Sequence, residues 1–191
     1  MAEVLLFHHA QGQTPGFIAF GDKLRGAGHT VHTPDLYDGH TFTTLDEGLA
    51  YAKEVGFQHV FDRGTAAAEG LPAELVYSGF SLGVMPAQSL AQTRAGARGA
   101  LLFEACAPTS EFGSGWPDGV PVQVHGMDSD PFFALEGDID AARALVAEAD
   151  DAELFVYPGN RHLFTDSSLS SYDAEATALL TQRVLGFLAG L

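Results

Sequence analysis

The sequence predicts an α/β domain in which a mainly parallel sheet carries helices on both faces. Three observations carry that prediction. Short apolar runs alternate with helix-compatible segments along the whole chain. The runs are apolar at successive positions, the pattern of strands covered on both faces. Each run ends in a polar or turn-forming segment, and no repeat, low-complexity stretch or linker interrupts the series. With 191 residues, 46% of them hydrophobic, the chain suits one domain over 1–191 with a sizeable core.

The elements follow in order. Val4 to His8 reads as the first strand, and the loop His9–Gly16 follows it. Phe17 to Gly26 places Phe17, Phe20 and Leu24 on one helix face, with Gly26 and Gly28 closing it. His29 to Pro34 is the second strand, stopped by the proline. Thr44 caps a helix from Leu45, with Glu47 at capping-box distance. Gly56 breaks it before a further helix over Phe57–Glu69. The strand from Glu74 runs into a tight turn at Ser81, and a helix continues from Val84 to Arg94. Gly99 to Ala105 is another apolar run. Pro108 to Gly119 is a loop rich in glycine, serine and proline. Val120–His125 and Glu153–Tyr157 are the last strands, Asp138–Ala149 is an alanine-rich helix, and Tyr172–Leu188 is the final one.

Composition narrows the function. The net charge of −16 argues against binding nucleic acid or an anionic membrane surface. Cys106 is the single cysteine, so no intramolecular disulfide forms, and a reducing, cytoplasmic setting is expected. The N-terminus has no basic region ahead of its short apolar run, and no run approaches the roughly 18 residues of a membrane span.

The chemistry centres on Gly79-Phe80-Ser81-Leu82-Gly83. A strand entering Gly-x-Ser-x-Gly and leaving as a helix is the context of a nucleophile elbow, where small neighbours let the backbone turn sharply. In a chain with 22 glycines the pattern has little weight alone. A serine hydroxyl attacks a carbonyl only with a base beside it, and the base needs an orienting acid. Downstream, in the order expected for an α/β-hydrolase triad, stand Asp128 or Asp130 and then His162, each after a predicted strand. In a parallel sheet those strand ends share one edge.

Here the chain resembles the dienelactone hydrolase family of the α/β hydrolases over nearly its whole length. The residues that carry the likeness are Thr33–Tyr37, Gly79–Gly83, His125–Asp130 and Tyr157–Phe164. The resemblance implies the α/β-hydrolase fold, a single domain with no large cap, and a triad of Ser81, Asp130 and His162. It selects Asp130 because the family aspartate lies five residues after a histidine, here His125. It implies an oxyanion hole from the backbone amides of Leu82 and a residue near Ala10. The family type has a cysteine nucleophile where this chain has Ser81, and often a second glycine where it has Val84. A family glutamate near the first strand is replaced by His9 or His8.

The expected reaction is cleavage of a small-molecule carboxylic ester or lactone without a cofactor or metal. His9, Phe132, Phe164 and Trp116 are the expected substrate contacts, with Phe112 and Phe133 in nearby loops. Two other classes compete with this reading. One is a hydrolase-fold protein that binds a ligand without turnover, suggested by the departures around the first strand. The other is a metal-dependent hydrolase, suggested by the eight histidines but not by any His-x-x-x-His or His-Glu-x-x-His spacing. Cys106 reads as a small buried residue rather than a catalytic thiol.

Overall fold

The computed structural model describes residues 1–191. Six strands form one sheet, every adjacent pair parallel, in the order β2-β1-β3-β4-β5-β6. They are β1 (Glu3–Phe7), β2 (Thr30–His32), β3 (Val76–Phe80), β4 (Gly99–Phe103), β5 (Val122–Met127) and β6 (Ala152–Tyr157). The helices are α1 (Pro15–Gly26), α2 (Leu45–Val55), α3 (Phe57–Ala66), α4 (Val84–Thr93), α5 (Asp138–Glu148) and α6 (Ala174–Gly190). No helix is long and apolar enough to cross a membrane.

Strand periodicity divides the core in two. Leu5, Phe7, Tyr77, Ala100, Leu102, Val122 and Val124 face α2, α3, α4 and α5. Val4, Leu6, Val76, Leu101, Phe103 and Met127 point the other way, onto Phe17, Phe20 and Leu24 of α1 and Leu180, Val184 and Leu188 of α6. Burying each of the Val, Leu, Phe and Met side chains contributes about 1.5–3 kcal/mol. The central strands β3, β4 and β5 are buried at every position, so β4 is apolar throughout and the polar Gln123 and His125 of β5 are buried with it.

Local signals in the sequence set the helix ends. Thr44 and Glu47 form the expected reciprocal capping box. Gly56 takes φ 94°, which ends α2 and lets α3 start in a new direction. One connection between strands has no α-helix. β4 reaches β5 through residues 104–121, which contain only a 3-10 turn at Thr109–Glu111. Side chains anchor this loop instead: Gln88 bonds both the N–H and the carbonyl of Ala107, and Gln92 donates to the carbonyls of Thr109 and Gly115.

The topology fixes where a site can form. From β1 the chain moves to one edge through α1, and from β3 it moves to the other through α4. The loops that leave β1 and β3 therefore diverge and open a crevice at their carboxyl ends. Ser81 and the loop from His8 to Thr14 lie at that crevice.

Candidate active site

β3 ends at Phe80, and Ser81 takes φ 48°, in the left-handed region that a non-glycine residue enters only at a cost. The chain then passes through a 3-10 turn directly into α4. The flanking glycines are required by contact. A Cβ on Gly79 would strike the Gly83 carbonyl, and one on Gly83 would lie 2.6 Å from the His8 carbonyl oxygen. The turn thus packs hard against the end of β1 and holds Ser81 half-buried at the sheet edge.

His162 lies in the loop after β6 and Asp130 in the loop after β5. The Ser81 hydroxyl donates to His162 Nε2 at 2.9 Å, and His162 Nδ1–H donates to Asp130 Oδ2 at 2.8 Å. Asp130 has no solvent exposure; its other oxygen accepts the Phe132 N–H at 2.9 Å. Burial alone would lower the His162 pKa. The Asp130 hydrogen bond and the nearby carboxyls of Glu104, Asp130 and Asp138 outweigh it, so the imidazole is raised above its ordinary value.

Asp128 does not reach His162. It is exposed, and its Oδ1 accepts the Gly159 N–H at 3.1 Å. With the Asp128 N–H on the Tyr157 carbonyl and the Ser129 N–H on the Gly159 carbonyl, it stitches the acid loop to the histidine loop.

The resemblance implies an oxyanion hole from the amides of Leu82 and Ala10. Leu82 N–H opens the helical turn and has no intrahelical partner. Ala10 is fully buried, and its N–H donates to no backbone or side-chain acceptor. The Ala10 loop is held firmly. Gln11 Nε2 donates to the carbonyls of Phe42 and Thr43, and any side chain on Gly48 of α2 would strike the Ala10 carbonyl.

Three of the expected substrate contacts are buried and engaged within the fold. His9 is 1% exposed with both nitrogens engaged: Nδ1 accepts the Gln11 N–H, and Nε2–H donates to Asp166 at 2.9 Å. Its partner Asp166, four residues beyond His162, gave no sequence signal. Trp116 packs into the core beside α5 and donates its indole N–H to the Val120 carbonyl at 2.7 Å. Phe164 is fully buried against Tyr157 on the α1–α6 side. Neither ring reaches the crevice, because both sit where strand-end loops return to the core. Of the four expected contacts, Phe132 alone lies at the site, its ring centroid 4.6 Å from that of His162.

The other candidates have quiet roles. His8 is buried and bonded to the His9 carbonyl and the Leu36 N–H, and burial lowers its pKa to about 4. Burial pushes the Cys106 thiol up to about 12, so it stays protonated and unreactive. No three His, Cys, Asp or Glu side chains converge in a metal-holding arrangement.

An apolar cleft of about 370 Å³ begins one residue from Ser81. Leu82, Met85 and Pro86 form one wall, and Phe57, Phe61 and Phe112 form the other; Glu111 is its one charged residue. The rings of Phe61 and Phe112 stack at 6.1 Å. Phe57 and Phe61 are a missed signal: they form an apolar stripe at i, i+4 on α3, beside the stripe of Val60 and Gly64 that packs inward.

The dienelactone hydrolase family model matches residues 1–191. The chain belongs to the dienelactone hydrolase family. It therefore stands among hydrolases and has the α/β-hydrolase fold. Solved structures agree on the fold. A dienelactone hydrolase-like promiscuous phosphotriesterase from metagenomic libraries superposes with a TM-score of 0.73 at 18% identity, covering 100% of this chain and 87% of that one. A cold-adapted esterase from an Arctic intertidal metagenomic library gives 0.62 at 19% identity, covering 98% and 83%. A thermophilic esterase from the planctomycete Thermogutta terrifontis gives 0.61 at 18% identity, covering 97% and 83%. No curated protein sequence matches significantly.

Proposed function

We propose that this dienelactone hydrolase family member cleaves neutral carboxylic esters or lactones through a serine acyl-enzyme. The observation that carries the proposal is the continuous relay of Ser81 Oγ, His162 and Asp130 at 2.9 and 2.8 Å. Ser81 Oγ adds to the carbonyl carbon while His162 Nε2 takes its proton. Asp130 holds the imidazole in the Nδ1–H tautomer and stabilises the imidazolium that forms. The amides of Leu82 and Ala10 donate to the oxyanion. His162 then protonates the departing alkoxide, leaving an acyl group on Ser81. A water attacks that acyl group with His162 as base, and Ser81 is regenerated.

The cleft favours a neutral, apolar group next to the scissile carbonyl. Its lining includes no lysine or arginine, and Glu111 opposes a substrate carboxylate. An uncharged ester therefore suits it better than the anionic lactone that names the family.

A panel of p-nitrophenyl esters and neutral lactones tests the reading, with fluorophosphonate labelling as a second readout. Turnover of apolar esters and one label per chain on Ser81 are expected. Ser81→Ala should lower kcat by at least about 10³-fold. Full activity in that variant would overturn the proposal.

A further inference from the structure

One buried acid near the triad has no part in that mechanism. Glu104 follows β4, whose residues Gly99–Phe103 are apolar and wholly buried. Its backbone is left-handed, φ 63°, and its N–H donates to the His125 carbonyl at 2.6 Å. The turn sends the side chain inward, and the residue is 1% exposed. Glu104 Oε1 accepts the Phe164 N–H at 2.8 Å, and the Leu163 amide also lies against this carboxyl. Leu163 is itself left-handed, φ 58°. Glu104 Oε2 has no hydrogen-bond partner at all.

We infer that Glu104 is a positioning residue for His162, holding the loop that follows it through the Phe164 N–H and so fixing where the imidazole sits. The inference rests on the reading of His162 as the general base. A loop that carries a base on two residues of unfavourable or irregular backbone needs an outside support. Glu104 reaches it from the end of β4, two strands away in the sheet. An acid at the end of an apolar strand, in a conformation that favours glycine, is otherwise a pure loss to the fold.

The same carboxyl is electrically coupled to the site. His162 and Asp130 lie close enough to act on Glu104, and Asp138 of α5 acts on His162. His125, on β5, stays neutral because burial holds its pKa down at about 3, and its ring nitrogens are bonded to Tyr157 and Gln123. Burial pushes Glu104 up to about 8, so it holds a proton at neutral pH, with the unpartnered Oε2 free to carry it. Above that pH the ionised carboxylate favours the imidazolium and makes His162 a stronger base.

The test compares wild type, Glu104→Gln and Glu104→Ala on p-nitrophenyl acetate from pH 5 to 10, alongside NMR titration of the His162 ring. In wild type a second inflection near pH 8 should appear in kcat/KM and in the ring shifts. Glu104→Gln keeps an acceptor for Phe164 but cannot ionise, so the upper inflection should vanish from both readouts. Glu104→Ala removes the acceptor and should lower kcat about tenfold or more with KM little changed, and Glu104→Gln should rescue most of that loss. An inflection near pH 8 that survives in Glu104→Gln overturns the inference, as does wild-type kcat in Glu104→Ala. Should Glu104→Ala not fold, the Glu104→Gln titration decides. The ring titration needs no turnover, so it separates failure here from failure of the ester-hydrolase reading, which Ser81→Ala tests.

Discussion

Asp166 Oδ2 accepts the Nε2–H of His9 at 2.9 Å, joining the loop after β6 to the loop after β1 across 157 residues of chain. The Thr14 hydroxyl donates to the same oxygen, and the Ser168 N–H and hydroxyl fill Oδ1. The Asp166 carboxylate therefore fixes the segment that presents the Ala10 amide relative to the loop that presents His162.

That anchoring has a pH signature. Burial would raise the Asp166 pKa, but the hydrogen bonds from His9, Ser168 and Thr14 prevail and hold it at about 2. The folded value lies below the ordinary 3.8, so the contribution is present above pH 3.8 and lost as pH falls toward 2. Asp166→Asn should cost on the order of 2 kcal/mol in urea unfolding at pH 7, shrinking to nothing near pH 2. A constant difference down to pH 2 would assign the loss to packing instead.

Asp130 and Asp128 stand two residues apart with separate partners, and conservative substitutions should separate them sharply. Asp130→Asn leaves an amide facing His162 Nδ1 and disturbs the tautomer that Ser81 needs. A fall in kcat of about 10³–10⁴-fold is expected. Asp128→Asn retains an oxygen for the Gly159 N–H and should change kcat by less than about threefold. Steady-state kinetics on one ester decides. Equal losses would mean that the acid loop acts as a unit.

The difference between these two aspartates also marks what was legible in the sequence. The strands, their parallel pairing and the placing of Ser81 follow from apolar runs, turn residues and a local motif. Each is written over a few consecutive positions. The choice of Asp130 came from family likeness, because spacing alone cannot say which of two turn acids points at a histidine 32 residues away. The burial of two aromatic residues was hidden for a related reason. Trp116 and Phe164 lie in loops, yet a loop that returns to the core buries its large rings, and nothing local announces that return. Glu104 and Asp166 serve distant loops and become intelligible only when the strand ends meet.

The cleft beside Leu82 should read acyl or alkyl chain length. Phe61 contributes apolar surface there without touching the triad. Each methylene buried against it is worth about 0.8 kcal/mol. Phe61→Ser should therefore lower kcat/KM for a p-nitrophenyl hexanoate about tenfold more than for the acetate. A uniform loss across chain lengths would place the substrate's apolar group elsewhere.

Glu104 gives the opposite pH signature to Asp166, and the signs can be told apart in one experiment. Its folded value, about 8, lies above the ordinary 4.5 because burial disfavours the charge. Between those values the folded state binds more protons than the unfolded state, so stability falls as pH rises through that window. Glu104→Gln keeps the acceptor for the Phe164 N–H and is free of this penalty. It should match wild type near pH 4 and become more stable by on the order of 3 kcal/mol at pH 8 and above. Urea midpoints across that range measure the divergence. Parallel curves for the two proteins would mean that Glu104 ionises in the fold as readily as it does in water. In that event its placement under the His162 loop would cost nothing electrostatically, and the orphaned Oε2 would need a solvent partner.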